Sequence, residues 1–416
     1  MLYFNTHFFL YIFIFIWSFL PYKMSGQTKT SDILGDNKNI AVPFQYVQGF
    51  IIVDVLVNYI FPMKFIVDTG AEHTIILDRT FADILQIPLD KEIKVVGSDV
   101  SREILAWVVR GIPFQFMEGR KTNHDFIILN EDVMDLGSIT GIKIDGILGS
   151  EFLKNFIVEI NFKKSVLFLY APQKNIKKWD KYQSLPMIIH SNKPYLNSFV
   201  NVKGEDSKEL LFLLDTGASL SLLVHTETDS LHLFPKHIIK GVLGRGLGGD
   251  VLGYSGKISQ FVMGKDTFDN VVCSFQAIDS IYQAEETIIR DGIIGNYILD
   301  HFHLVFHFPE NKLLFKRNSR KKINFKYDKS GLIIYAFGPK LNQYYIHHVL
   351  EGSPAHEAGL IPGDIIKKVG LWPTRYYTLD SIHRKLTNEN KVVKMEVQRK
   401  NKKIITKIKL RDLYDS

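Results

Sequence analysis

Two acids of this chain stand in the same unusual setting. FIVDTGAEHTIIL runs from Phe65 to Leu77, and FLLDTGASLSLLV runs from Phe212 to Val224. In each, an apolar run meets Asp-Thr-Gly-Ala and then resumes. Taken singly, such a stretch reads as an Asx-type turn, with Asp68 or Asp215 bonding its own following backbone and Gly70 or Gly217 allowing positive φ. A carboxylate set among apolar residues is nevertheless costly unless it is paired or hydrogen-bonded, and the arrangement occurs twice. If Asp68 and Asp215 face each other, they cannot both stay ionised, and they titrate as a pair sharing one proton. Such a pair combines a general base, which takes a proton from water, with a general acid, which donates to a carbonyl oxygen. The chemistry this allows is attack of water on a peptide carbonyl with no covalent intermediate.

The acids need elements to position them, and the spacing indicates what these are. DGILGSEFL begins at Asp145 and DGIIGNYIL at Asp291. The two DTG stretches lie 147 residues apart and the two DGI stretches 146 apart, in the same order, so whole domains are duplicated. After each DGI come alternating apolar residues around a polar turn, Phe156 to Tyr170 and His303 to Arg317, which predict β-hairpins. Further strands are expected before each DTG, from Val42 and from Leu185. Helical periodicity is scarce. The expected fold is mainly β, with one lobe over residues 40–170, a linker over 171–184 and a second lobe over 185–317.

A glycine-rich stretch, GVLGRGLGGDVLGYSG, spans Gly241 to Gly256. It reads either as a bulged or flexible hairpin or as a flap over a ligand, with Gly246, Gly248 and Gly249 removing side chains that would obstruct close approach. The matching zone of the first lobe, Val95 to Ser101, has a single glycine.

After a basic linker, 318–327, a third module covers 328–416. Ser353-Pro354 suits a helix start, Gly359 a helix end, and Pro362-Gly363-Asp364 a tight turn. A second helix is expected around Leu379, Ile382 and Leu386, then two alternating strands, which together make an α+β module.

The two lobes resemble aspartic proteases of the retropepsin-like type, fused into one chain. The resemblance covers roughly Ile40 to Arg317 and rests on Asp68-Thr69-Gly70-Ala71, Asp215-Thr216-Gly217-Ala218, Ile147-Leu148-Gly149 and Ile293-Ile294-Gly295. It implies that Asp68 and Asp215 are catalytic, that each apolar-apolar-Gly strand supports a DTG loop from behind, and that Thr69 and Thr216 grip each other across the lobes. The third module resembles a PDZ domain of the bacterial type through GSPAHEAGLIPGD, Gly352 to Asp364. That implies capture of extended peptides or C-termini by strand addition, as a tethered site beside the protease. YAFG, Tyr335 to Gly338, is the candidate carboxylate-binding loop. The pattern departs from the pepsin branch in having Ala71 and Ala218 where that branch has Ser or Thr. The combination resembles an exported bacterial endopeptidase acting on peptides or proteins without a cofactor. The alternative is a non-catalytic exported peptide-binding scaffold or holdase, which two intact DTG turns disfavour.

The remaining features narrow the classes. Phe8 to Leu20 is an apolar run of secretory-signal length, so residues 1–26 read as a signal peptide, or as an uncleaved membrane anchor, of a periplasmic or secreted protein. Residues 27–39 read as a polar linker or short pro-segment. The single cysteine, Cys273, makes no internal disulfide, so stability rests on the cores. The net charge of +7 comes largely from two Lys/Arg-rich stretches with no nucleic-acid motif, and no nucleic-acid partner is expected. His301, His303 and His307 share a strand face, but no acid or cysteine completes a metal set. Glu72 and His73 have no counterpart in the second copy and read as ordinary surface.

Overall fold

The computed structural model describes residues 16–17, 33–35, 39–97, 103–117, 119–173, 176–203, 206–225, 234–246, 249–276, 290–319, 323 and 325–414. The protein is mainly β. In lobe 1, strands Asn39–Val47 and Phe50–Val57 form a hairpin around Gln48 and Gly49, both at positive φ. Phe61–Val67 pairs with the second of these strands and leads into the first DTG. Phe65, Ile66 and Val67 are completely buried. This unbroken apolar run is what a strand covered on both faces requires.

The supporting strand of each lobe takes the same place. Gly146–Leu148 runs parallel to Phe61–Val67 and antiparallel to Ile75–Ile76. In lobe 2, Gly292–Ile294 runs parallel to Lys208–Leu214 and antiparallel to Leu222–His225. Each lobe also carries a long hairpin, Lys91–Gly97 with Glu103–Phe116 in lobe 1 and Ile238–Gly246 with Gly249–Met263 in lobe 2.

The two hairpins that follow the DGI motifs join the lobes. Ile157–Asn161 pairs antiparallel with Phe302–His307, opposing Val158 to Phe306 and Glu159 to Val305. Shifting Val158 and Glu159 by the DTG offset lands on Val305 and Phe306, so the lobes are related by a pseudo-twofold axis passing between these pairs. Glu159 is buried there and accepts from Lys178 Nζ at 2.7 Å and Tyr170 Oη at 2.6 Å, with His303 Nε2 2.7 Å away. Burial pushes its carboxyl up, but His303, Lys178 and Tyr170 outweigh that and hold it down at about 2.

Three stretches differ from expectation. The linker over 171–184 is not a plain connector, because Trp179 packs on Tyr170 and Gln183–Pro186 adds a strand beside Lys312–Arg317. Ile33 and Leu34, within the expected polar linker, are buried in the lobe core. The histidines are spread out: His303 serves the inter-lobe network, His307 lies 3.6 Å from Glu310, and His301 packs near Phe268 and Phe325. Residues 1–26 lie outside the described residues except Ile16–Trp17, which pairs with Val96 and Gly97. Among the described residues no helix is long and apolar enough to cross a membrane.

The third module is a sheet in the order Leu332–Phe337, Gln343–Val349, Ile365–Val369, Val392–Arg399, Lys402–Lys409, with helices Pro354–Glu357 and Leu379–Lys385. Ser353 and Thr378 cap the helices through their side chains, Ser353 accepting from His356 N and Thr378 from Ser381 N. Tyr335 to Phe337 are strand, not a carboxylate-binding loop. The loop leading into that strand is instead closed by Asp328, which accepts from the N–H groups of Ser330 at 2.9 Å and Gly331 at 2.6 Å.

The module is docked on the lobes rather than loosely tethered. Ile333, Tyr335, Leu350 and Tyr414 share a buried cluster with residues of both lobes, including Ala71 and Ala218. Asp412 bonds Lys257 of lobe 2 at 2.8 Å and Lys329 of its own module at 2.5 Å, and Tyr327 also donates to it.

Candidate active site

Strand ends deliver the two acids to one place. Asp68 N–H donates to Leu148 O and Asp215 N–H to Ile294 O, both at 3.0 Å, so each apolar-apolar-Gly strand fixes the start of its DTG turn. Within the first turn, the N–H groups of Gly70 and Ala71 donate to Asp68 Oδ1 at 2.7 and 2.9 Å. In the second, Gly217 N–H donates to Asp215 Oδ1 at 2.7 Å, while Ala218 N–H bonds the Asp215 main-chain oxygen at 3.4 Å.

The turns interlock. Thr69 Oγ1 donates to Leu214 O at 2.6 Å and accepts from Thr216 N–H at 3.0 Å. Thr216 Oγ1 donates to Val67 O at 2.8 Å and accepts from Thr69 N–H at 3.0 Å. The glycines let the acids meet: a Cβ on Gly70 would stand 2.5 Å from Asp215 Oδ2, and one on Gly217 would collide with the Asp68 carboxyl group. Each glycine therefore lies against the acid of the opposite lobe, where no side chain fits.

Both acids are completely buried. Burial, and then the charge of Asp215, pushes Asp68 well above the usual carboxylate range despite its two N–H donors. Burial likewise pushes Asp215 up to about 6, against the pull of Gly217 N–H and of Asp68 itself. Their Oδ2 atoms take no hydrogen bond from the turns and are left to the carboxyl group of the opposite lobe. One carboxyl and one carboxylate side by side satisfy these constraints, and the proton belongs to the pair.

The expected supporting glycines are in place, and polar residues that the sequence reading did not single out complete the site. Gly149 and Gly295 pass close behind the turns, where a Cβ would collide with His73 O and Leu220 O. The next residue in each copy is polar and buried. Ser150 Oγ donates to Thr69 O at 2.6 Å. Asn296 Nδ2 donates to Thr216 O and, across the lobes, to Gly49 O, both at 2.6 Å. Ser219 Oγ donates to Gln48 O beside it. A polar residue at the same place in both DGI copies was the available signal. His73 is not surface: it is buried, with Nδ1 2.6 Å from Glu151 Oε2, and Glu151 Oε1 also accepts from Thr74 N–H at 3.2 Å.

Of the expected flap glycines, Gly246 closes one strand and Gly249 opens the next, and the two pair with each other. Gly248 lies outside the described residues. The stretch is a hairpin with a register shift between Val242 and Gly244.

Comparison with known families agrees with this geometry. An aspartyl protease family model matches residues 53–152 and again residues 200–298. A PDZ domain model matches residues 345–399. The chain carries two aspartyl protease lobes and a C-terminal PDZ domain. No match was found among curated proteins. Each protease match spans one DTG and its supporting strand, so the duplication read from spacing corresponds to two copies of one protease unit. The PDZ match begins within strand Gln343–Val349 and leaves out Leu332–Phe337, the strand that meets the lobes.

Proposed function

We propose that this protein is an aspartic endopeptidase in which Asp68 and Asp215 together activate a water against a peptide carbonyl. The observation that carries the reading is the pairing of two buried acids on interlocked turns, each lying against the glycine of the other lobe. The ionised member takes a proton from the water and the protonated member donates to the carbonyl oxygen. Thr69 and Thr216 hold the turns, and the strands Ile147-Leu148-Gly149 and Ile293-Ile294-Gly295 back them. As the gem-diol collapses and the C–N bond breaks, the acid that took the water proton donates it to the amide nitrogen while the other carboxylate takes a proton from a diol hydroxyl, so the pair ends with one proton.

The substrate is an extended segment of a peptide or protein, covered by the hairpin that includes Gly246 and Gly249. The PDZ domain supplies a peptide-binding surface. The apolar run Phe8 to Leu20 supports export to the periplasm or the extracellular side, as a cleaved signal or an anchor. The test is incubation of the purified protein with a random peptide library, beside Asp68→Asn. Cleavage by the wild type alone supports the reading, and cleavage by both, or by neither, overturns it.

A further inference from the structure

The lobes contact the PDZ domain through the elements that would hold a PDZ ligand. A peptide joins such a domain by adding a strand to an open sheet edge. Of the sheet's two outermost strands, Leu332–Phe337 and Lys402–Lys409, the edge with a helix packed near it, Leu379–Lys385, is Leu332–Phe337. The lobe 1 helix Leu136–Thr140 packs on this strand, with Leu136 and Ile139 in one buried cluster with Ile333 and Tyr335. Gly141, which ends that helix, lies against the PDZ helix, where a Cβ would stand 3.1 Å from Leu379 Cβ. Gln48 Oε1 is 2.9 Å from His383 Nδ1 on the same PDZ helix.

Two further observations point the same way. The N–H groups leading into the edge strand are already bonded within the chain, those of Ser330 and Gly331 by Asp328 and that of Leu332 by Ser330 Oγ at 3.2 Å. The docked face also reaches the lobe 2 hairpin. Val242, Leu243 and Val251 belong to the cluster that holds Tyr335, and the charges of Arg245 and Asp250 act on the Tyr335 hydroxyl. A hairpin over a cleft must move for substrate to enter and leave, and here it is packed against a second domain.

We propose that the PDZ domain is an internal latch. Lobe 1 closes its peptide-accepting edge, the docked domain restrains the lobe 2 hairpin, and an extended peptide with a free C-terminus that takes the edge releases the hairpin and raises hydrolysis. The activity half of this proposal rests on the endopeptidase reading, whereas the closed edge stands on geometry alone.

The experiment uses the full chain and two variants outside the catalytic turns, Ile139→Asp in lobe 1 and Tyr335→Ala in the PDZ domain. Hydrogen–deuterium exchange is read over residues 332–337 and 238–246, and kcat/KM is measured on a short fluorogenic peptide. Circular dichroism selects the variants that keep the fold, and Tyr335→Ala leaves lobe 1 intact if Ile139→Asp unfolds it. Both segments are expected to exchange about tenfold faster or more, with kcat/KM raised at least about threefold. A pool of random decapeptides with free C-termini added to the wild type should have the same effects as its concentration rises. Unchanged exchange in folded variants, or faster exchange with an unchanged or lower kcat/KM, overturns the latch. If no form of the protein hydrolyses any peptide, the endopeptidase reading falls, and exchange over 332–337 alone decides whether the edge is closed.

Discussion

Replacing Thr69 with Val keeps the shape of the residue and removes its hydroxyl. That hydroxyl donates to Leu214 O and accepts from Thr216 N–H, both in the opposite lobe. Thr69 and Thr216 are buried, so water does not replace the lost partners. A buried group deprived of its partner costs about 1–3 kcal/mol, which for two groups makes about 2–6 kcal/mol. Against a typical stability of about 5–15 kcal/mol this is a large fraction. Thr69→Ser is the control: it keeps the hydroxyl and deletes one buried methyl, at about 1 kcal/mol. Guanidinium denaturation of both variants and the wild type, followed by intrinsic fluorescence, supplies the midpoints, and the Val variant should lie well below the Ser variant. The companion Thr216→Val should add less than its full single cost in the double variant, because the two hydroxyls serve one lobe contact. Unfolding free energies for Val and Ser that agree within about 1 kcal/mol would refute the claim that these hydroxyls hold the lobes together.

Three other outcomes are expected. Asp68→Asn and Asp215→Asn should each abolish peptide cleavage, yet at pH 7 unfold no earlier than the wild type. The raised folded pKa of each acid means that ionisation costs stability as pH rises through it; thermal unfolding of both variants checks this, and early melting of either contradicts it. The kcat/KM profile against pH should be bell-shaped, with its acid limb above the ordinary carboxylate range, because burial raises both acids of the pair. Ala218→Ser should move that limb downward more than Ala71→Ser does, since Ala71 N–H already bonds the Asp68 carboxyl whereas Ala218 N–H does not reach the Asp215 carboxyl; coincident limbs in all three proteins would remove the alanines from the explanation. Glu159→Gln should destabilise the protein above the ordinary glutamate range, with the difference shrinking as pH falls toward about 2, because the folded pKa is depressed; urea midpoints at pH 7 and pH 3 measure it, and an equal gap at both values argues against the network.

The lobes and the acids were legible in the sequence because their signals are local and repeated. The two DTG turns, the two apolar-apolar-Gly strands and the two closing hairpins each announce themselves within about fifteen residues. The PDZ helices were legible for the same reason, through Ser353-Pro354, Gly359 and the spacing of Leu379, Ile382 and Leu386. What escaped the reading lies between segments far apart in the chain. The bond between Gln48 and His383 spans 335 residues, and that from Asn296 to Gly49 spans 247. No periodicity encodes such partners. Glu159 and His303 each look like a polar residue on an ordinary strand, and only the inter-lobe register brings them together. His73 was misread because its burial depends on Glu151, which arrives from the other end of the lobe.

The duplication also explains why the two halves need not match. A proton-sharing pair holds one ionised and one protonated acid; under a perfect twofold the proton rests on either with equal weight, whereas unequal surroundings favour one of them. A single chain lets each copy change alone, and this one has done so around the turns. Asp68 receives two main-chain N–H bonds at its carboxyl and Asp215 receives one. Behind them, Ser150 bonds only its own lobe's turn, while Asn296 spans its own turn and the Gln48–Gly49 turn of lobe 1. That same turn meets the PDZ helix through Gln48. The symmetry-breaking contacts thus run from Thr216 through Asn296 to the Gln48–Gly49 turn and on to His383, so the PDZ domain, present once for two lobes, is joined to the side of the site where the two copies differ.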